Sequence, residues 1–120
     1  MSKRVLIVDD SGYTRKVIHR ALAKAGYEIV GEAESGEAAI DMALEMKPDV
    51  ITLDNILPDM LGMDILRVIK EEGLNAVVIM ISAVGQQSTV SDVMDLGAAK
   101  YIVKPFTAGD VVSAVDQYAS

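Results

Sequence analysis

Four short apolar runs, each closed by a polar residue, recur along the chain: Val5 to Val8 before Asp9, Val50 to Leu53 before Asp54, Val77 to Ile81 before Ser82, and Tyr101 to Val103 before Lys104. Runs of this length with little alternation suit strands buried on both faces. A fifth run, Glu28 to Ala33, is half polar and is therefore expected nearer a sheet edge. Between the runs the apolar spacing becomes helical. Val17, Ile18, Ala21, Leu22 and Ala25 form one stripe that stops at Gly26; Ala39, Ile40, Ala43 and Leu44 form a second, with Glu37, Asp41 and Glu45 on its opposite, solvated face. Ile65, Leu66 and Ile69 make a third stripe, and Val90, Val93 and Met94 a shorter fourth. Thr107 followed by Asp110 has the spacing of a capping box, opening a helix whose inner face is Val111, Val112, Val115 and Tyr118.

The order is strand then helix, five times. Right-handed crossovers between parallel strands lead to a central sheet with helices on both faces, an α/β doubly wound fold. Ligand sites in such folds lie at the carboxyl ends of the strands, which is where the polar residues closing the runs fall.

Composition narrows the function. A chain of 120 residues with 51% hydrophobic content suits one domain, without room for an output domain. The formal net charge of −7 has the wrong sign for neutralising nucleic-acid phosphates, so no nucleic-acid partner is expected. There is no cysteine, which excludes thiolate metal sites and cysteine nucleophiles and fits a cytoplasmic protein. No apolar stretch reaches membrane-spanning length, and no membrane partner is expected.

At the strand ends, Asp9, Asp10, Asp54, Ser82 and Lys104 are brought to one rim. Two carboxylates about 4 Å apart repel by roughly 4 kcal/mol at an effective dielectric near 20, so such a cluster calls for protonation, separation or a cation. All-oxygen ligands favour a hard ion, Mg²⁺ over Zn²⁺. Lys104 can neutralise the acids or contact phosphoryl oxygens, and Ser82 taken alone reads as a turn or cap residue.

These residues sit in motifs that resemble the receiver domains of two-component response regulators: V-L-I-V-D-D at Val5 to Asp10, V-I-T-L-D at Val50 to Asp54, L-P-D-M-L-G at Leu57 to Gly62, I-S-A at Ile81 to Ala83, G-A at Gly97 and Ala98, and Y-I-V-K-P-F at Tyr101 to Phe106. The resemblance covers essentially the whole chain. It implies a flavodoxin-like (βα)5 fold with five parallel strands in the order 2-1-3-4-5. It further implies that Asp54 is the phosphoacceptor, and that Asp9, Asp10, Asp54 and the backbone carbonyl of Ile56 surround Mg²⁺. Lys104 and Ser82 would contact the phosphoryl group, Tyr101 would follow Ser82 as the second switch residue, and Pro105 would follow a cis peptide bond. The implied partners are a histidine kinase, a protein output target with the flagellar motor switch as a candidate, and an accessory phosphatase. The implied working form is a cytoplasmic monomer that catalyses only its own phosphorylation and dephosphorylation.

S-A-V-G-Q-Q at Ser82 to Gln87 brings the likeness nearest to stand-alone chemotaxis receivers; a receiver of a phosphorelay or stress pathway would look much the same. Asn55 departs from the apolar residue more usual in the family, and Ile56 and Val84 are apolar where water would approach the phosphoryl group. An Mg²⁺ phosphatase with an aspartyl nucleophile is the competing class. It usually needs a second acid two residues after the nucleophile, where Ile56 stands. A flavin-binding module is disfavoured because no phosphate-cradling loop follows the first run. His19 falls on the polar side of its stripe and is expected to face solvent.

Overall fold

The computed structural model describes residues 3–119. The elements in chain order are β1 (Arg4–Val8), α1 (Gly12–Lys24), β2 (Glu28–Ala33), α2 (Gly36–Met46), β3 (Val50–Leu53), α3 (Gly62–Glu71), β4 (Val77–Ser82), α4 (Gln87–Asp95), β5 (Lys100–Val103) and α5 (Ala108–Ala119). The five strands pair in parallel in the order β2-β1-β3-β4-β5. This is the flavodoxin-like arrangement that the alternating pattern and the family resemblance led to.

Strand alternation divides the core in two. Leu6, Val8, Ile51, Leu53, Val78 and Met80 face a layer built with Ala39, Ala43, Ile65, Leu66, Ile69 and Val93 from α2, α3 and α4. Val5, Ile7, Val50, Ile79 and Ile81 face the opposite layer, with Ile18 and Leu22 of α1 and Val111, Ala114 and Val115 of α5. The central strands β1, β3 and β4 are covered on both faces, which is why they read as largely apolar runs, with Thr52 of β3 as a buried polar exception.

The edges depart from the simple pattern. Along β5 only Ile102 is buried, while Val103 is 45% exposed, because no strand lies beyond it and α4 covers it shallowly. The half-polar β2 occupies the other edge, as its composition indicated. Four helix stripes are narrower than expected. Leu44 and Met94 are exposed because burial centres on Ala43 and Val93, and the next residue lies about 100° round the helix. Ala25 is exposed at the end of α1, and Tyr118 is 39% exposed near the end of α5, where Ala114 and Ala119 supply the buried contacts.

The capping box forms as read: Asp110 N–H donates to Thr107 Oγ1 at 3.1 Å, and Thr107 N–H donates to Asp110 Oδ2 at 2.9 Å. Among the described residues no helix is long and apolar enough to cross a membrane.

Candidate phosphoacceptor and metal site

Each rim residue is delivered by a strand end. Asp9 and Asp10 follow β1, Asp54 follows β3, Ser82 ends β4, and Lys104 follows β5. In-register pairing of Val8 with Leu53 sets Asp9 beside Asp54, and pairing of Ser82 with Val103 brings Lys104 across. Each of Asp9, Asp10 and Asp54 offers a carboxylate oxygen, and these oxygens all lie within 4.8 Å of one another. Asp9 and Asp54 are buried and Asp10 is exposed, so the cluster has a closed floor and an open side.

Lys104 is the cation that holds the floor. Its Nζ lies 2.8 Å from Asp9 Oδ2 and 3.4 Å from Asp54 Oδ2. The second oxygen of each acid is occupied by backbone: Ser11 N–H donates to Asp9 Oδ1 at 2.9 Å, and Ile56 N–H to Asp54 Oδ1 at 3.2 Å. Burial and then the negative field of Asp9 push the Asp54 carboxyl above its ordinary value, against the lowering pull of the Ile56 N–H and Lys104. Burial also works against the charged form of Lys104, but the hydrogen bond to Asp9 and the fields of both acids prevail, holding the ammonium above its ordinary value. One lysine therefore does not satisfy the acids. The donor set is all oxygen, anionic and open on one side, which fits a divalent hard cation.

Ser82 is fully buried, and its Oγ accepts the Val84 N–H at 3.2 Å. Among the described residues no hydrogen bond joins that hydroxyl to Asp54 or Lys104. Tyr101 is half-buried and its hydroxyl donates to the Val84 carbonyl. The Ser82 and Tyr101 side chains thus meet through the backbone of Val84 rather than directly. The Lys104–Pro105 peptide bond is cis.

Asn55 has a structural role that its sequence position did not disclose. It is buried, and its Oδ1 accepts the Met63 N–H at 3.1 Å. Helix α3 has Leu61 at its N-cap, with no side-chain cap of its own, so Asn55 supplies the missing acceptor from outside the helix. Gly62 is required alongside it: a Cβ there would lie 2.4 Å from the Asp54 carbonyl oxygen. Asp59 also escaped the sequence reading. Its carboxylate accepts the N–H groups of Gly36 and Glu37 at the start of α2. Only the L-P-D-M-L-G motif pointed toward it.

His19 keeps 44% of its side chain exposed, on the solvent side as expected, but it is not free of partners. Its Nδ1 lies 2.8 Å from Glu32 Oε2, while Arg15 Nε lies 3.2 Å from the other oxygen of the same carboxylate. The polar alternation of edge strand β2 turns Glu32 toward α1, which accounts for the pairing.

The model of the response regulator receiver domain matches residues 5–116. The chemotaxis protein CheY of Thermotoga maritima is 43% identical over 117 residues, 98% of each chain. The CheY of Bacillus subtilis is 44% identical over 117 residues, again 98% of each chain. A chain of the CheX-CheY-BeF3-Mg²⁺ complex from Borrelia burgdorferi superposes with a TM-score of 0.92 at 38% identity, covering 96% of this chain and 87% of that one. With that likeness running the length of the fold and through the acidic rim, the chain belongs to the response regulator receiver domains, in the company of receivers of the CheY type.

Proposed function

We propose that the chain is a cytoplasmic switch in chemotaxis or motility control, working as a single receiver domain that accepts a phosphoryl group on Asp54 from a histidine kinase. The observation that carries this reading is the Asp54 carboxylate itself. It is nearly buried, electrostatically unsatisfied, and flanked by Lys104 and two further acids. In the proposed step an Asp54 oxygen attacks the phosphorus of phosphohistidine. The P–O bond forms as the P–N bond breaks, and the electron pair returns to the imidazole of the donor. Phosphoryl transfer passes through a loose transition state with charge on the equatorial oxygens. Lys104, already 3.4 Å from Asp54, is placed to meet that charge.

Asp9, Asp10, Asp54 and the Ile56 carbonyl would hold Mg²⁺, which when bound keeps Asp54 ionised and offsets its repulsion from the incoming group. Hydrolysis would later break the Asp54 P–O bond, with water supplying the oxygen to phosphate. Ile56 is half-exposed and Val84 half-buried, and neither side chain can orient that water. The phosphorylated state should therefore decay slowly and depend on an accessory phosphatase. Ile56→Asn and Val84→Glu should both decay faster once donor is removed, and equal lifetimes would remove water control from these two positions.

The output partner, with the flagellar motor switch as the candidate, is proposed to dock on α4, β5 and α5. A groove of about 310 Å³ there is lined by Lys100, Tyr101, Asp110 and Gln117 among others, and Tyr101 links its wall to Val84. Substituting Asp92, Lys100 or Tyr101 should alter partner binding with Mg²⁺ affinity unchanged. Dependence on Tyr13 and Thr14 would place the interface on α1 instead.

The primary test is uptake of acid-labile phosphate from a small phosphodonor with Mg²⁺. Uptake should vanish in Asp54→Ala and persist in Lys104→Ala with weakened signalling. Labelling of Asp54→Ala at the parent level would refute the assignment.

A further inference from the structure

The tip of the loop that follows Asp54 is fastened to a helix that contributes nothing else to the site. Asp59 lies in that loop, outside any helix or strand, yet both of its carboxylate oxygens are used. Gly36 N–H donates to Oδ1 at 2.7 Å and Glu37 N–H to Oδ2 at 2.9 Å. These two bonds hold the Asp59 carboxyl below its ordinary value. Helix α2 already has an N-cap of its own, since Ser35 Oγ accepts the Ala38 N–H at 3.2 Å. Asp59 takes the two N–H groups that Ser35 leaves over.

The contact is closely built. A Cβ on Gly36 would lie 2.1 Å from Met60 Cγ and 3.2 Å from Asp59 Oδ1, so any larger residue would force the Met60 side chain aside and crowd the Asp59 carboxylate. The loop is closed at its base as well. Gly62 N–H donates to the Asn55 carbonyl at 2.7 Å, Leu57 N–H donates to the Met60 carbonyl at 3.2 Å, and Ile56 pairs with Leu61. With base and tip both fixed, the backbone of Ile56 between them has little freedom to move relative to Asp54.

We infer that Asp59 is a positioning residue for the metal site, acting through the loop on the Ile56 backbone. The inference rests on the proposed ligand set. A carbonyl ligand cannot be tuned by changing its own side chain, so its placement depends on how the loop is anchored. Outer partners that orient ligands typically change metal affinity by about 10- to 100-fold. Asp59 acts one step further out, so a smaller effect is expected.

The test is titration with Mg²⁺ alone, together with amide hydrogen exchange and thermal melting, on the parent, Asp59→Ala, Asp59→Asn, Ser35→Ala and Glu37→Gln. Asp59→Ala should weaken Mg²⁺ binding by about three- to tenfold and speed exchange at Leu57 and Gly62. Asp59→Asn, which keeps one acceptor, should fall between it and the parent. Ser35→Ala removes a cap from the same helix without touching the loop, so it should lower stability while leaving Mg²⁺ affinity within about twofold of the parent. Glu37→Gln removes a neighbouring charge and should also leave the affinity in place. Unchanged affinity in Asp59→Ala, or an equal loss in Ser35→Ala or Glu37→Gln, overturns the positioning role. A parent that binds no Mg²⁺ overturns the metal reading and this inference with it.

Discussion

Replacing Asp54 by asparagine should stabilise the metal-free protein, and the balance of charges around it gives the reason. At 3.4 Å and an effective dielectric near 20, Lys104 attracts the Asp54 charge by about 5 kcal/mol. Asp9, with an oxygen within 4.8 Å, repels it by at least about 3.5 kcal/mol, and exposed Asp10 adds a screened contribution of the same sign. Attraction and repulsion nearly cancel, so desolvation of a carboxylate only 6% exposed decides the sign, in keeping with its raised pKa. The isosteric amide removes the charge, keeps an acceptor for the Ile56 N–H, and leaves Lys104 paired with Asp9 at 2.8 Å. The variant is therefore expected to melt above the parent in the absence of metal, as replacement of a buried charge whose attractions and repulsions nearly cancel often stabilises a protein. The pH dependence has a definite sign. Because the native carboxyl is raised, ionising it costs stability. The advantage of the Asp54→Asn variant is therefore full above the native pKa, shrinks as pH falls through it, and is gone below the ordinary value of 3.8. Melts of both proteins in a chelator across this range, repeated with Mg²⁺, are the assay. Mg²⁺ should stabilise the parent more than the variant and narrow the gap. A variant less stable than the parent at pH 8 in chelator, or a gap independent of pH, would refute the electrostatic account.

Three further outcomes are expected. Asp10→Ala should weaken Mg²⁺ binding far more than Asp95→Ala, because Asp10 belongs to the carboxylate cluster and Asp95 ends α4; equal effects in a metal titration would sink the rim assignment. Burial and the hydrogen bond to Asp116 push the Tyr27 hydroxyl up to about 12, so one tyrosine should titrate late in ultraviolet absorbance and disappear from the curve in Tyr27→Phe. Stability from that pair should be intact below pH 10 and decline above it, since the unfolded chain ionises first. Thr107→Ala breaks one half of the α5 capping box and should cost about 1 kcal/mol in denaturant melts, with Mg²⁺ affinity unaffected.

How far the sequence disclosed all this depended on the range of the interactions. Strands β1, β3 and β4 were legible because burial on both faces leaves a largely apolar run, and the residue closing each run marks the functional rim without further information. Asp9, Asp10, Asp54 and Lys104 are therefore visible as a set. Edge strand β5 was over-read, since an apolar run looks the same whether or not a further strand covers it. The helix stripes were also drawn too wide, because Ala39 and Ala43 bring α2 close to the sheet on a narrow face and leave Leu44 outside. The loop ties were not legible. Asn55 bonds a residue 8 positions away, and Asp59 reaches back 22 and 23 positions. Such pairings are set by loop shape, which no periodicity encodes.

The arrangement around Val84 bears on how a charge change at Asp54 could reach the proposed output face. Ser82 and Lys104 are locked to one another by the sheet, with the Lys104 N–H donating to the Ser82 carbonyl at 2.8 Å. Neither backbone has to move for a phosphoryl group to be sensed. The Ser82 hydroxyl accepts from Val84, and its own proton remains available to donate. A phosphoryl oxygen could recruit that proton without breaking the existing bond, so Val84 would be drawn along with Ser82. The Val84 carbonyl in turn holds the Tyr101 hydroxyl, and Tyr101 stands in the wall of the proposed docking groove. Two hydrogen bonds on one residue, each with a net value of about 1 kcal/mol, set the scale of the coupling that can pass this way. That scale falls within the range of about 1–3 kcal/mol, or 5- to 150-fold in affinity, over which two sites in one protein commonly influence each other. A partner that prefers the phosphorylated state by much more than this needs contacts beyond this pair of hydrogen bonds.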